Sequence, residues 1–303
     1  MKNHTRSLST ILIATIALLG PTTLTAQQTK EGYALAWNNT IVVAPDSLKS
    51  NGRLFPAYTF TVFESDANTA LGYWKSDMKA QGSQVSGSKP MKATGVRQAK
   101  LSTDPILMMA MATTDKKAGS ARMTVAFALN DSTPIAENKA AMDLAREMSV
   151  RYNRAVVQEQ ITNKEGLHDD VHEDLSDARA DSTKLNAKAT KARMDMENAQ
   201  SKQKAIKADN EDIAVRIAGA EKKFAITNDH KDLQKLTKLR NKLAKGESKL
   251  SKEIQAENKS RSTMKKYEAD MPKTSREMKE HGSKKEKAST ELDDLKRKLD
   301  KIE

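Results

Sequence analysis

The chain contains no cysteine. That absence excludes a disulfide framework, a thiolate metal site, a cysteine nucleophile and a cysteine-linked lipid anchor, and leaves folding to packing alone. Aromatic residues make up only 4% of the 303 residues. After Val156 they are represented by Phe224 and Tyr267 alone, so the material for a sizeable core lies in the first half of the chain. No apolar run reaches the length of about 20 residues that a membrane-crossing helix needs. No glycine-rich phosphate loop follows a strand-like segment and no GxSxG elbow occurs, which removes the commonest signatures of nucleotide and acyl-transfer chemistry. The end, Lys301-Ile302-Glu303, also lacks the terminal aromatic and alternating strands of an outer-membrane barrel. An enzyme is not expected, and no cofactor is implied.

What is present begins with Lys2 and Arg6 before an apolar run from Ile11 to Leu19, followed by Gly20-Pro21 and a small-residue site ending at Ala26. This is the tripartite pattern of a cleaved signal peptide over residues 1–26. The mature chain is expected to start at Gln27 and to reach the periplasm or the medium as a soluble protein.

Charged residues form 30% of the chain, with a formal net charge of +12. Much of the excess falls after residue 227. A basic balance favours anionic partners such as lipid headgroups, an envelope polysaccharide or nucleic acid, of which nucleic acid is the least expected, while charges on a long helix are ordinarily a solvated face.

Residues 27–133 read as a small α+β head domain. Strands are expected at Ile41–Val43, Tyr58–Phe63, Ile106–Ala112 and Met123–Leu129, with a further one near 94–100. Ser65 or Asp66 caps a helix whose Ala67, Leu71, Trp74 and Met78 share a face and which ends near Gly82. Residues 115–120 form a hairpin-like link. Met108, Met109 and Met111 lie in a strand, where packing explains them better than soft-metal binding.

From Pro134, behind capping candidates Asp131, Ser132 and Thr133, a helix carries Ala141, Ala145, Met148, Tyr152 and Val156 on one face and opens a rod over residues 134–303. Between 178 and 224 the apolar or small residues return at alternating steps of four and three. Ala178, Leu185, Ala192, Ala199, Ile206, Ile213 and Ala220 form one column. Ser182, Ala189, Met196, Gln203, Asn210, Ile217 and Phe224 form the other, and together they are a coiled-coil seam. Thr227-Asn228-Asp229 is a turn signal between periodic runs. A fold-back there pairs residues whose numbers sum to about 456, among them Ala192 with Met264 and Asn210 with Gly246. The fold class is therefore an α+β head, an antiparallel sheet with one or two helices, followed by a long antiparallel coiled-coil hairpin. The alternative is a straight parallel dimer through residue 270. Pro272 and the capping signal Thr274–Glu277 mark a break in the return helix.

His168 and His172, at i and i+4 beside carboxylates, form the one metal-like spacing. The metalloprotease pattern has Glu after the first His where this chain has Asp169, and no third ligand is identifiable. Weak facultative binding is the most this spacing supports.

Taken with the export signal and the long charged coil, the segment VFESDANTALGYWKSDMKAQG resembles uncharacterised exported proteins of Bacteroidetes-type bacteria, a family that supplies no functional residues. In architecture the chain is similar to the Skp family of periplasmic chaperones, from which it departs by ending on a helix. Two classes of function follow. One is an envelope protein that scaffolds or cradles protein partners, with oligomerisation through the coil. The other is a module that binds an anionic envelope polymer, a membrane surface or nucleic acid through its basic helical rod.

Overall fold

In the computed structural model the described residues are 32–303, so the leader expected over 1–26 lies outside them. Two compact units are present, one made of residues up to Gln158 together with 294–303, the other of Glu159–Asp293.

The first unit is built on strands β1 (Val43–Ser50), β2 (Arg53–Phe63), β3 (Gln84–Ser86), β4 (Met91–Val96), β5 (Ile106–Asp115) and β6 (Ser120–Ala128). They form one antiparallel sheet in the order β1-β2-β6-β5-β4-β3. The first strand pairs Val43 with Phe60 and continues to Ser50, well past the expected Ile41–Val43. Pro45 does not stop it, because an edge strand has a side on which no donor is needed. Asn51-Gly52, both at positive φ (50° and 79°), turn the chain into β2, so that Ser50 faces Arg53. That is the two-residue turn whose twist matches antiparallel strands, and it is why β2 starts at Arg53 rather than Tyr58. The additional strand begins at Met91, earlier than expected, and β3 was not anticipated. β5 and β6 meet as expected across 115–120, where Asp115 Oδ1 accepts from the amides of Lys117 and Ala118 at 2.9 and 3.1 Å.

Helix α1 (Ala67–Ala80) is capped by Asp66, whose Oδ1 accepts from Thr69 N at 2.8 Å. Its Trp74 and Met78 enter a core with Phe60, Met108, Met123 and Phe127 from one sheet face. Met109 belongs to a second cluster, with Leu48 and Phe55. Strand alternation puts it on the face opposite Met108, so these two thioethers serve packing on different sides and cannot converge on one ion.

The long helix α2 (Lys139–Thr227) does not start at Pro134. Asn130 Oδ1 accepts from the amides of Ser132 and Thr133 (2.9 and 3.0 Å), and Pro134 bridges Ala128, which commits the expected capping residues to a turn. Asn138 caps instead, its Oδ1 accepting from Ala141 N at 2.9 Å. Ala141, Ala145, Met148, Tyr152 and Val156 then join the first core, as the spacing predicts. Arg151 and Tyr152 both donate to Asp77 of α1, and burial, with the Asp77 charge next, pushes the Tyr152 hydroxyl well above its ordinary pKa. Residues 294–303 complete this unit. Lys298, 1% exposed, is ion-paired to Glu64 and donates to Ala34 O at 2.7 Å. Burial lowers its pKa from the ordinary lysine value.

In the second unit α2 turns at Asn228 (φ 45°) into α3 (His230–Asp300). The turn is clamped by Asp232, which accepts from Lys223 Nζ at 2.8 Å and Thr227 Oγ1 at 2.9 Å. The two helices form an antiparallel hairpin, so the straight rod is excluded for this chain. Pro272 lies inside α3 without ending it. Pro272 and Glu268, the residue whose carbonyl loses its usual donor, are both exposed, so that carbonyl has water within reach. Thr274 is not a cap there; it is buried in mid-helix, and its hydroxyl donates to Asp270 O at 3.4 Å.

Candidate functional site

The hairpin is the candidate functional element, and its seam follows the expected heptads. Between 178 and 224 every residue of both columns is buried or half-buried, and of the others only Gln200 is not exposed. On α3 the matching seam runs through Leu236, Leu239, Leu243, Gly246, Leu250, Glu253, Glu257, Ser260, Met264, Tyr267 and Met271. Register agrees with the fold-back at Asn228: Gln203 Nε2 donates to Glu253 O at 3.2 Å, and Lys188 Nζ stands 5.7 Å from the Tyr267 ring centre. At Gly246 an added Cβ would lie 1.9 Å from Asn210 Oδ1, so those two residues face each other directly.

The same pairing rule sets Glu257 opposite Ala199, a charged residue in a seam position whose partner has no polar group to offer it. The structure satisfies it instead. Gln200 Nε2 and Gln203 Nε2 donate to its two oxygens at 2.9 and 2.7 Å, with Arg261 beside them. These bonds hold the Glu257 carboxyl below the ordinary glutamate range. The polar layer therefore adds a matched set of donors and acceptors to a seam in which small and aliphatic side chains predominate.

Beside this layer runs an open groove of about 670 Å³. Ala192, Ala199 and Ala256 line it, and Lys188, Lys191, Lys202 and Lys259 also border it. The small residues leave room that larger seam residues would fill. Asp195 and Glu253 also line the groove, with Lys202 Nζ 3.8 Å from Glu253, but the lysines outnumber the carboxylates and leave the local charge positive. Sequence reasoning found the small seam residues but not the groove, which needs the flanking positions of both helices. A second cleft, of about 790 Å³, lies in the first unit along the start of α2. Its Lys100 is bonded to Glu147 at 2.8 Å and its Arg154 donates to Leu299 O and Ile302 O, so these charges are already engaged.

His168 and His172 do share a face, with ring centres 6.5 Å apart. His168 Nδ1 lies 3.3 Å from Asp169, and His172 Nδ1 lies 3.2 Å from the Lys285 amine. An ammonium donating to that nitrogen takes the lone pair a metal would use. Nearby, His281 is 3.5 Å from Asp174. Among the described residues no group of three or more His, Asp or Glu is placed to hold a metal ion. No helix among them is long and apolar enough to cross a membrane. Compared with models of protein families and with curated proteins, the chain matches none.

Proposed function

We propose that this is a non-enzymatic exported protein of the cell envelope whose helical hairpin binds other proteins, as a scaffold or a chaperone-like factor. The observation that carries this reading is the open groove beside the polar layer. Its floor of small side chains and its two helical walls suit a segment of another protein laid along the hairpin, with apolar contact below and charge contact at the edges. Export is inferred from residues 1–26 alone, and a mature N-terminus at Gln27 is the expected result of N-terminal sequencing.

A second reading, binding of an anionic polymer or lipid surface, draws on Lys188, Lys191, Lys202 and Lys259 at that same groove. One experiment separates the two. A photo-reactive amino acid replaces Asn198, which lines the groove and is exposed, and the protein is irradiated in its native envelope at low and high salt. Discrete protein adducts that persist at high salt support a protein partner. Loss of all adducts, together with salt-sensitive binding to heparin or to vesicles containing anionic lipid, supports the second reading.

A further inference from the structure

One edge of α2 is divided by charge in a way the seam does not require. The residues that immediately precede successive seam residues, Asp170, Asp174, Asp177 and Asp181, are all acidic, and the next along the same edge, Lys184, Lys188 and Lys191, are all basic. All of them are exposed. Their spacing alternates four and three residues, so they form one continuous stripe along the helix.

A solvated helix ordinarily mixes signs at these spacings, because opposite charges three or four residues apart stabilise it and like charges destabilise it. Blocks of one sign forgo that benefit. Within the stripe an ion pair occurs at the junction, where Lys184 Nζ lies 3.2 Å from Asp181. Asp174 faces His281 on α3 at 3.5 Å, and Lys188 lies over Tyr267. The remaining edge of α3 carries mixed signs in Lys266, Asp270, Lys273, Glu277 and Glu280, so it sets no comparable pattern.

We propose that this stripe is a self-complementary interface on which a second copy of the chain docks antiparallel, with the two-fold axis between Asp181 and Lys184. In that register Asp181 meets Lys184, Asp177 meets Lys188 and Asp174 meets Lys191, and symmetry repeats each pair. Parallel docking would set acid against acid and base against base, so the pattern selects one direction. The next layer outward places Asp170 against Asp195, a like-charge pair that limits the interface to the central segment. The groove beside Lys188 and Lys191 is then overlain by the partner's acidic segment. This inference rests on the reading of the hairpin as a protein-binding element and names the first of its partners.

The test is sedimentation of the purified protein at about 20 and 500 mM salt, conditions between which surface charge interactions become strongly screened. A dimer at low salt that dissociates at high salt is the expected result. Asp174→Lys/Asp177→Lys/Asp181→Lys makes the paired segment 174–191 wholly basic, and Lys184→Asp/Lys188→Asp/Lys191→Asp makes it wholly acidic. Each variant alone should self-associate at least about tenfold more weakly, as loss of the reciprocal pairs at the low end of exposed ion-pair strength requires. Mixing the two should restore a heterodimer, and the variant carrying all the exchanges should form a homodimer again. Helicity measured on each variant distinguishes lost docking from lost folding. A monomer at low salt, a triple variant that is helical and still dimerises like the parent, or helical triple variants that do not pair on mixing would each overturn the proposal. Photo-adducts to other proteins from a monomeric chain would leave the hairpin a binding element and remove only self-association.

Discussion

Gly246 and Asn210 offer the sharpest test of how the hairpin is held. Replacing a helical glycine by alanine ordinarily stabilises a helix by about 1 kcal/mol. At Gly246 the new Cβ would meet Asn210 Oδ1 at 1.9 Å, Cγ at 2.9 Å and Nδ2 at 3.2 Å. Asn210 must therefore rotate away or the helices must part, a strain of about 1–3 kcal/mol by comparison with overpacked cores. The expected net effect of Gly246→Ala is from roughly neutral to about 2 kcal/mol destabilising. In an Asn210→Ala background the same substitution should recover its full gain of about 1 kcal/mol, because the facing side chain no longer reaches the Cβ. Asn210→Ala also removes an amide oxygen that is buried without a hydrogen-bond partner, so it should itself be tolerated or stabilising. The coupling between the two sites is then about 1–3 kcal/mol, well above the scatter of about 0.3–0.5 kcal/mol seen for independent sites. Urea unfolding followed by circular dichroism at the helical minimum measures it. Trp37 and Trp74 both lie in the first unit, so tryptophan fluorescence reports that unit separately. An additive cycle would show that the two residues do not face each other and would refute the register.

Three further outcomes are expected. With no native cysteine, Ala192→Cys/Met264→Cys should oxidise to a monomeric crosslink at low protein concentration; accessible thiols that give only intermolecular products would contradict the hairpin pairing. Hydrogen bonds from Lys223 and Thr227 lower the Asp232 pKa, and those from Gln200 and Gln203 lower that of Glu257, so both contributions are present above the unfolded carboxylate values and are lost as pH falls through the folded ones. Asp232→Asn and Glu257→Gln should thus lower the melting temperature at pH 6 and converge with the parent in strong acid, and a gap that widens on acidification would reverse that sign. Trp74→Ala, which empties a fully buried indole site in the first unit, should cost about 3–5 kcal/mol by fluorescence-monitored unfolding while most of the helical signal persists; simultaneous loss of both signals at one midpoint would show that the two units unfold together.

The heptads were legible because a two-helix seam imposes one strict local rule, and Leu185, Ile206 and Ile213 obey it without help from distant residues. The turn was equally local, since Asn228 tolerates the left-handed backbone that Thr227 and Asp229 do not need. Asn51-Gly52 is just as strong a signal for a hairpin, and reading it would have extended both first strands to their observed ends. Pro134 misled because its fitness for a first helical turn is real but not exclusive. Asn130 and the bridge to Ala128 claimed that segment first.

The sequence by itself determined that there would be a small sheet-containing unit and a long antiparallel hairpin, because periodicity, capping and turn chemistry act over a few residues. Only the tertiary structure decided what the polar seam positions do. Glu257, an apparent defect in a heptad, becomes a satisfied acceptor once Gln200 and Gln203 arrive from the other helix, and the groove exists only where the flanks of both helices meet. The physical reason is range. An apolar face needs only a neighbour, whereas a half-buried carboxylate or a binding groove depends on which residues, far apart in the chain, that neighbour presents.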